Sequence, residues 1–352
     1  MDINNLFKLA AEKKASDIHL MFGRTPILRI DGELIDINQA VPDGNFAVLS
    51  SIDLEGFLDV MLTKDQKQRF LDKRDLDLGY QVENYRYRVN FAFEKNSVVI
   101  VARVIDEKKP TLAEIGMPSI VEQLLDLPQG FILITGPTGC GKSTTLAAMV
   151  NHINQTRACN IITLEDPIEY VFTSEKSLIV QRQLGTDMLS FASGLKHVLR
   201  QDPNVIMLGE MRDLETIATA VTLAETGHLV LATLHTYNAA QTIDRIIDIF
   251  PPFQQSQIKS QLSSVLSAVI SQRLLPRRSG GRIAAHEILI NNEAVANMIR
   301  EGKIAQIKST IETNLSAGMI TLDRHIKELY KSGEINLEDA RRNLEDPQIL
   351  EG

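Results

Sequence analysis

Residues 131–144 read Phe131-Ile132-Leu133-Ile134-Thr135-Gly136-Pro137-Thr138-Gly139-Cys140-Gly141-Lys142-Ser143-Thr144. An apolar run of strand character enters a GxxxxGKS loop, and the helix-forming stretch Thr145-Leu146-Ala147-Ala148-Met149-Val150 leaves it. Strand, glycine loop and helix in that order are what a phosphate-binding loop requires. The glycines let the backbone wrap a phosphate with its N–H groups pointing inward. The helix N-terminus behind them adds the positive end of its dipole. Lys142 is then placed for the β- and γ-phosphates, and Ser143 for a hydroxyl on Mg²⁺. Cys140 reads as a small residue accommodated in the loop. The expected cofactors are ATP and Mg²⁺. An Asn-Lys-x-Asp guanine-reading motif is missing from the sequence, which favours ATP over GTP.

Working outward, the pattern from about residue 119 is helix, buried strand, loop, helix, repeated. Short apolar runs at 131–135, 161–164, 205–208 and 229–233 predict a parallel sheet covered on both faces. From about 255 the pattern predicts helices to the end, because Ile258, Leu262, Val265, Leu266, Val269 and Ile270 keep helical spacing.

Two of the strands end in acids. Val205-Ile206-Met207-Leu208-Gly209-Glu210 places Glu210 where a Mg²⁺-binding carboxylate belongs, with Gly209 in the position usually held by Asp. Ile161-Ile162-Thr163-Leu164-Glu165-Asp166-Pro167-Ile168-Glu169 ends a second strand in carboxylates, at the end of a parallel sheet where ligands bind. Glu165 is expected as general base and Glu210 on the metal, with the reverse order left open. His228 and His235 bracket the next strand, and a strand-end histidine is suited to sensing a γ-phosphate.

The first hundred residues follow a different plan. Helices are predicted over 3–15 and 50–72, a hairpin about Asp31-Gly32, and a second hairpin over 79–105. In the second hairpin Tyr85, Tyr87, Val89, Phe91 and Phe93 share one face, and Arg86, Arg88 and Asn90 the other. This is a small α+β domain with an arginine-bearing face. The charged, proline-containing stretch that begins Lys108-Lys109-Pro110 predicts a linker. The expected boundaries are 1–107, a linker at 108–118, and 119–352.

Composition agrees with this picture. At 352 residues, 44% apolar and 23% charged, the chain has room for two or three globular domains. Its 37 basic and 45 acidic residues give −8, which argues against general nucleic-acid binding. Two cysteines exclude a four-cysteine zinc site and make a disulfide scaffold a poor reading. The sequence shows neither an apolar run long enough to cross a membrane nor a secretory signal at its start. Membrane association is therefore expected only through partners.

Taken together, these motifs resemble the secretion-ATPase superfamily, and within it the PilT-type retraction ATPases of type IV pili. Ala15-Ser16-Asp17-Ile18-His19-Leu20 with Arg29-Ile30-Asp31-Gly32 is similar to the family's N-terminal signature. Arg86–Asn90, the phosphate loop, 165–169, 208–213 and 226–236 resemble, in order, its arginine strand, Walker A, Asp box, Walker B and His box. The resemblance implies a PAS-like N-terminal domain, a RecA-like P-loop ATPase domain with a helical C-terminal region, and a homohexamer. It implies a cytoplasmic motor, peripheral at the inner membrane, that acts on a pilus platform protein and drives twitching motility. It also makes Arg86, Arg88 and Arg103 candidates for neutralising phosphoryl charge, beside Glu165, Glu210, His228 and His235. One place departs: Ala296 stands where the C-terminal signature carries arginine. That keeps open an accessory PilU-like paralogue. Pilus assembly and type II secretion ATPases are the nearest rivals; they are usually longer at the N-terminus and often carry a four-cysteine zinc insertion. A RecA-like nucleic-acid motor is the rival from another class, disfavoured by the acidic balance.

Overall fold

The computed structural model describes residues 2–30, 32–42, 44–105 and 109–350. The expected turn residue Asp31 and the linker's first residue Lys108 lie outside these. Contacts divide the chain into two compact units, Met1–Lys108 with Pro167–Val171, and Lys109–Asp166 with Phe172–Gly352.

The first unit opens with α1 (Ile3–Glu12), capped by the Asp2 carboxylate on the Asn4 N–H. Then come β1 (Asp17–Met21), β2 (Ile27–Ile30), β3 (Glu33–Asp36), the short α2 (Ile37–Ala40), α3 (Ser51–Met61) and α4 (Lys64–Lys73). Both α3 and α4 begin with a capping box, Ser50 with Asp53 and Thr63 with Gln66. β4 (Asp75–Val82), β5 (Tyr85–Glu94) and β6 (Ser97–Ile105) complete an antiparallel sheet of order β3-β2-β1-β6-β5-β4. The second hairpin is thus a three-stranded meander that begins earlier than its periodicity suggested. Lys95 and Asn96 make its tight turn with φ of 48° and 66°. The alternation in β5 holds: Tyr87, Val89 and Phe91 are fully buried, and the Tyr87 hydroxyl donates to the Phe7 carbonyl of α1 at 2.8 Å.

The second unit contains α5 (Ile120–Leu125), β7 (Gly130–Thr135), α6 (Lys142–Thr156), β8 (Asn160–Glu165) and β9 (Leu178–Gln183). Next are α7 (Phe191–Val198), β10 (Val205–Leu208), α8 (Leu214–Glu225), β11 (Leu229–Leu234), α9 (Ala239–Asp248) and α10 (Gln255–Val265). β12 (Leu266–Pro276) and β13 (Arg282–Ile290) follow. The chain then continues through α11 (Glu293–Glu301), α12 (Ile307–Thr313), α13 (Leu322–Lys331) and α14 (Leu337–Asn343). The sheet order is β13-β12-β7-β11-β10-β8-β9. All its pairs are parallel except β12 with β13, so the sheet is mixed. Each central strand sends alternate residues to opposite layers. Phe131 and Leu133 join the apolar layer of α8 and α9, while Ile132 and Ile134 join that of α5 and α6.

One expectation is overturned. The region from 255 is not all helix: α10 ends at Val265, and Leu266, Val269 and Ile270 lie in β12. β12 runs parallel to β7, with Val269 opposite Leu133 and Ile270 opposite Ile134. A strand buried on both faces is apolar throughout, so its spacing continues the stripe of the helix before it.

Behind β13, the His286 ring stacks on His325 of α13 with centroids 5.3 Å apart. His286 is fully buried, and neither of its ring nitrogens has a hydrogen-bond partner. Burial, helped by His325, pushes its pKa down to about 3. The folded state therefore holds the neutral ring, while the unfolded chain takes up a proton near pH 6.5. This stability is complete above pH 6.5 and is lost as the pH falls toward 3, by about 2 kcal/mol at pH 5. The half-buried His325 is also lowered by burial, with the His286 backbone and Glu328 opposing, and adds in the same direction. His286→Phe should keep the stacking and flatten the decline of melting temperature between pH 6.5 and 4. A decline as steep as the wild type's would contradict this account.

Candidate functional site

β7 delivers the chain to Gly136, where φ is 144°. A Cβ there would lie 2.4 Å from the Gln272 carbonyl oxygen and 2.6 Å from the Cys140 Sγ. Only glycine fits. Gly139 and Gly141 are left-handed, with φ of 78° and 91°. Gly141 is the N-cap of α6 and brings no side chain to cap it. The first N–H groups of α6 are thus offered to an anion. Burial pushes the Cys140 thiol up, so it packs as a small apolar residue.

The Lys142 ammonium donates to the Gly136 carbonyl at 2.9 Å and the Pro137 carbonyl at 3.0 Å. It also lies 3.3 Å from the His235 Nδ1. An ammonium has only protons to give, so Nδ1 is the acceptor and the ring proton sits on Nε2. That nitrogen faces the Glu210 carboxylate at 3.8 Å. Burial, and then the Lys142 charge, hold the His235 pKa below its ordinary value, so the ring is neutral near pH 7. Glu210 also pairs with Arg212 at 2.7 Å. Gly209 just before it donates to the Leu164 carbonyl at 2.8 Å, and the Thr233 hydroxyl donates to the Gly209 carbonyl at 2.5 Å. The turn that aims Glu210 is therefore fixed to both neighbouring strands.

Glu165 ends β8 and is 7% exposed. Its Oε1 accepts from the Thr163 hydroxyl at 2.6 Å and the Gln181 amide of β9 at 3.0 Å. Lys142, His235 and Glu210 thus form one continuous cluster at the phosphate loop, with Glu165 at the end of the strand beside β10. His228 does not belong to it. It stands at the opposite end of β11, with a strand of 6 residues, about 20 Å, between it and His235. Its Nδ1 lies 2.9 Å from the Leu223 carbonyl, closing the end of α8.

Sequence reasoning missed Ser271 and Gln272 on β12. The Ser271 hydroxyl bonds with that of Thr135 at 2.8 Å. Gln272 donates to the Cys140 carbonyl at 2.6 Å and accepts from the Thr145 hydroxyl at 2.8 Å. Their one signal is two polar residues directly after the apolar run Ala268-Val269-Ile270. Between the loop and the β12–β13 hairpin lies a cavity of about 490 Å³, bordered by Gly141, Thr144, Leu274, Arg277 and Arg282.

The arginine candidates lie on the sheet of the first unit. Arg29, Asp17, Arg103 and Arg88 are consecutive partners across β2, β1, β6 and β5. Arg103 Nε is 2.9 Å from the buried Asp17 and Arg29 Nε is 3.7 Å from it. Burial works against the Asp17 charge, but the Ser16 hydroxyl and Arg103 outweigh it and hold the carboxyl below its ordinary range. Arg88 lies 3.9 Å from Asp77. The Arg86 guanidinium covers Gly79, where a Cβ would come within 2.3 Å of it.

Among the described residues, no group of three or more His, Cys, Asp and Glu side chains could hold a metal. Nor is any helix among them long and apolar enough to cross a membrane.

Residues 1–280 match the family model described as Type II/IV secretion system protein. The type IV pilus retraction ATPase PilT of Pseudomonas aeruginosa is 44% identical over 99% of both chains. The type IV pilus ATPase PilU of the same organism is 36% identical over 99% of this chain and 90% of its own. A crystal structure of the pilus retraction motor PilT with bound ADP superposes with a TM-score of 0.91 at 43% identity, covering 100% of this chain and 99% of that one.

The geometry of the loop yields a test. Gly136→Ala must displace the Gln272 backbone or leave its own φ, and should cost more than about 2 kcal/mol of stability. A melting temperature within 1–2 °C of the wild type, a shift of about 0.5 kcal/mol, would show that the loop yields.

Proposed function

Because this chain belongs to the Type II/IV secretion system protein family, we propose that it is the motor that retracts a type IV pilus. It is an ATPase of the PilT type, and similarity over nearly the full length of both chains supports retraction as the role. For ATP chemistry, the observation that carries the reading is the Lys142–His235–Glu210 cluster at the phosphate loop. The loop's glycines and the uncapped start of α6 fit a nucleotide phosphate chain.

The Ser143 hydroxyl and the Glu210 carboxylate are hard oxygen donors suited to Mg²⁺, which is usually held by one or two protein oxygens plus substrate phosphates. Held there, Mg²⁺ would supply neutralisation of phosphate charge. Lys142 exchanges its loop carbonyls for phosphate oxygens, and the neutral His235 offers its ring to the γ-phosphate side. Glu165 takes the proton of the attacking water. Arg86, Arg88 and Arg103 neutralise phosphoryl charge in the assembled ring, a role supported by the family resemblance. His228 is a strut of the fold and drops out of the reaction.

The first unit is PAS-like. The second is RecA-like, with its helical region starting at α11; residues 109–118, expected as a linker, belong to it, and Leu112 and Met117 pack into its core. The working form is a cytoplasmic homohexamer that docks on an inner-membrane platform protein. Force on a long fibre requires subunits firing in turn, since one subunit's hydrolysis moves one element once.

Glu165→Gln should retain ATP binding and lose turnover by about 10²-fold. Glu210→Gln should weaken Mg²⁺-dependent binding as well. If Glu165→Gln hydrolyses normally and Glu210→Gln alone loses the chemical step, the two roles are reversed.

Deleting the gene should leave as many pili or more and abolish twitching. Bald cells would indicate an assembly motor. Unchanged piliation and motility would indicate an accessory paralogue, the reading that Ala296 on α11 keeps open.

A further inference from the structure

Gln272 is 3% exposed, and both ends of its carboxamide are committed to the phosphate loop. Nε2 donates to the Cys140 carbonyl at 2.6 Å, and Oε1 accepts from the Thr145 hydroxyl at 2.8 Å. Its backbone carbonyl forms the wall that excludes a Cβ from Gly136. One residue of β12 therefore touches the first glycine of the loop, its fifth residue and the first turn of α6.

These contacts act on the atoms that would meet phosphate. A trans peptide points its C=O and N–H in opposite directions. Holding the Cys140 carbonyl against β12 therefore holds the Gly141 N–H away from β12. The Thr145 bond fixes the first turn of α6 against the same strand. The direction of the loop's donors is set in advance, so binding an anion does not have to order them.

We propose that Gln272 is a positioning residue for nucleotide binding, which sets the Cys140–Gly141 peptide and the start of α6 in their phosphate-accepting orientation. The inference rests on the loop being an ATP site. It goes beyond that reading by assigning a role to a strand outside the sequence motifs. The carboxamide is specific to the task. A carboxylate could accept from Thr145 but would set an anionic oxygen against the Cys140 carbonyl. A leucine would fill the space and bond to neither.

The test measures ATPase kinetics and melting temperature for the full-length protein, with MgATP as the probe. Gln272→Leu should raise KM for ATP by about tenfold while kcat stays within about threefold, because the lost interaction orders the binding site and not the reacting atoms. Gln272→Glu should lose at least as much, although it keeps the Thr145 acceptor. Thr145→Val should raise KM by about threefold, and it covers the case in which Gln272→Leu does not fold. A wild-type KM in folded Gln272→Leu or Gln272→Glu overturns the inference, as does a fall in kcat with KM unchanged. A wild-type protein that neither binds nor hydrolyses ATP would instead strike the ATPase reading itself.

Discussion

The parallel pairing of β7 with β12 gives the glycine loop after Thr135 its shape. Without it, the loop after Thr135 would be a glycine-rich segment with wide conformational freedom and a large ordering cost. With it, Ser271 meets Thr135 at the strand end, the Gln272 carbonyl closes on Gly136, and the Gln272 amide holds Cys140 and Thr145. β11 does the same from the other side. It pairs with β7 from Leu229 to Leu234 and so carries His235 to the Lys142 ammonium. The loop is held by neighbours that are strands in a sheet buried on both faces, not by stiffness of its own sequence.

That explains which parts of the site were legible. The phosphate loop, Glu210 and Glu165 announce themselves because each combines an apolar run with an abrupt polar ending, a pattern that survives without knowledge of the partners. β12 does not announce itself. α10 passes into it at Leu266 with no glycine or proline between them, and Leu266, Val269 and Ile270 extend the apolar spacing of Ile258, Leu262 and Val265. A helix stripe and a doubly buried strand satisfy the same count of apolar residues over so short a stretch. Gln272 was hidden with it, since a buried glutamine becomes meaningful only when the carbonyl and hydroxyl it bonds are known. In the first unit, the Arg86 and Arg88 face was readable from period-2 alternation. Asp17 was not, because its importance comes from lying across β1 between Arg29 and Arg103, far apart in sequence.

The charges at the strand ends are coupled more tightly than a catalogue of motifs suggests. Lys142 has two carbonyls and an imidazole nitrogen as partners, and a phosphate that draws the ammonium competes with all three. The imidazole is the informative one. Its Nδ1 lone pair is engaged by lysine, and its Nε2 proton faces Glu210. A neutral ring in that tautomer links a cation to an anion without adding net charge. Replacing it with lysine or arginine would set a second cation against Lys142, and replacing it with an aliphatic side chain would cut the link.

Strand direction sorts the remaining residues. In a parallel sheet every C-terminal end lies on the same edge, so Gly136 after β7, Glu165 ending β8, Glu210 after β10 and His235 after β11 all come to one edge whatever their separation in sequence. The same rule removes His228. It precedes β11 and must lie on the far edge, however closely its sequence neighbourhood resembles that of His235. β13 breaks the rule because it is antiparallel, yet register still places His286 opposite Gln272 and Glu287 opposite Ser271. Glu287 accepts the Ala239 N–H at the start of α9, at 2.8 Å, and so anchors the turn that leaves His235. Position along a strand, counted from the edge that carries the loop, therefore separates the residues gathered at the loop from the rest better than residue type does. Two histidines, His228 and His235, flank one strand, and only the one at its C-terminal end reaches Lys142.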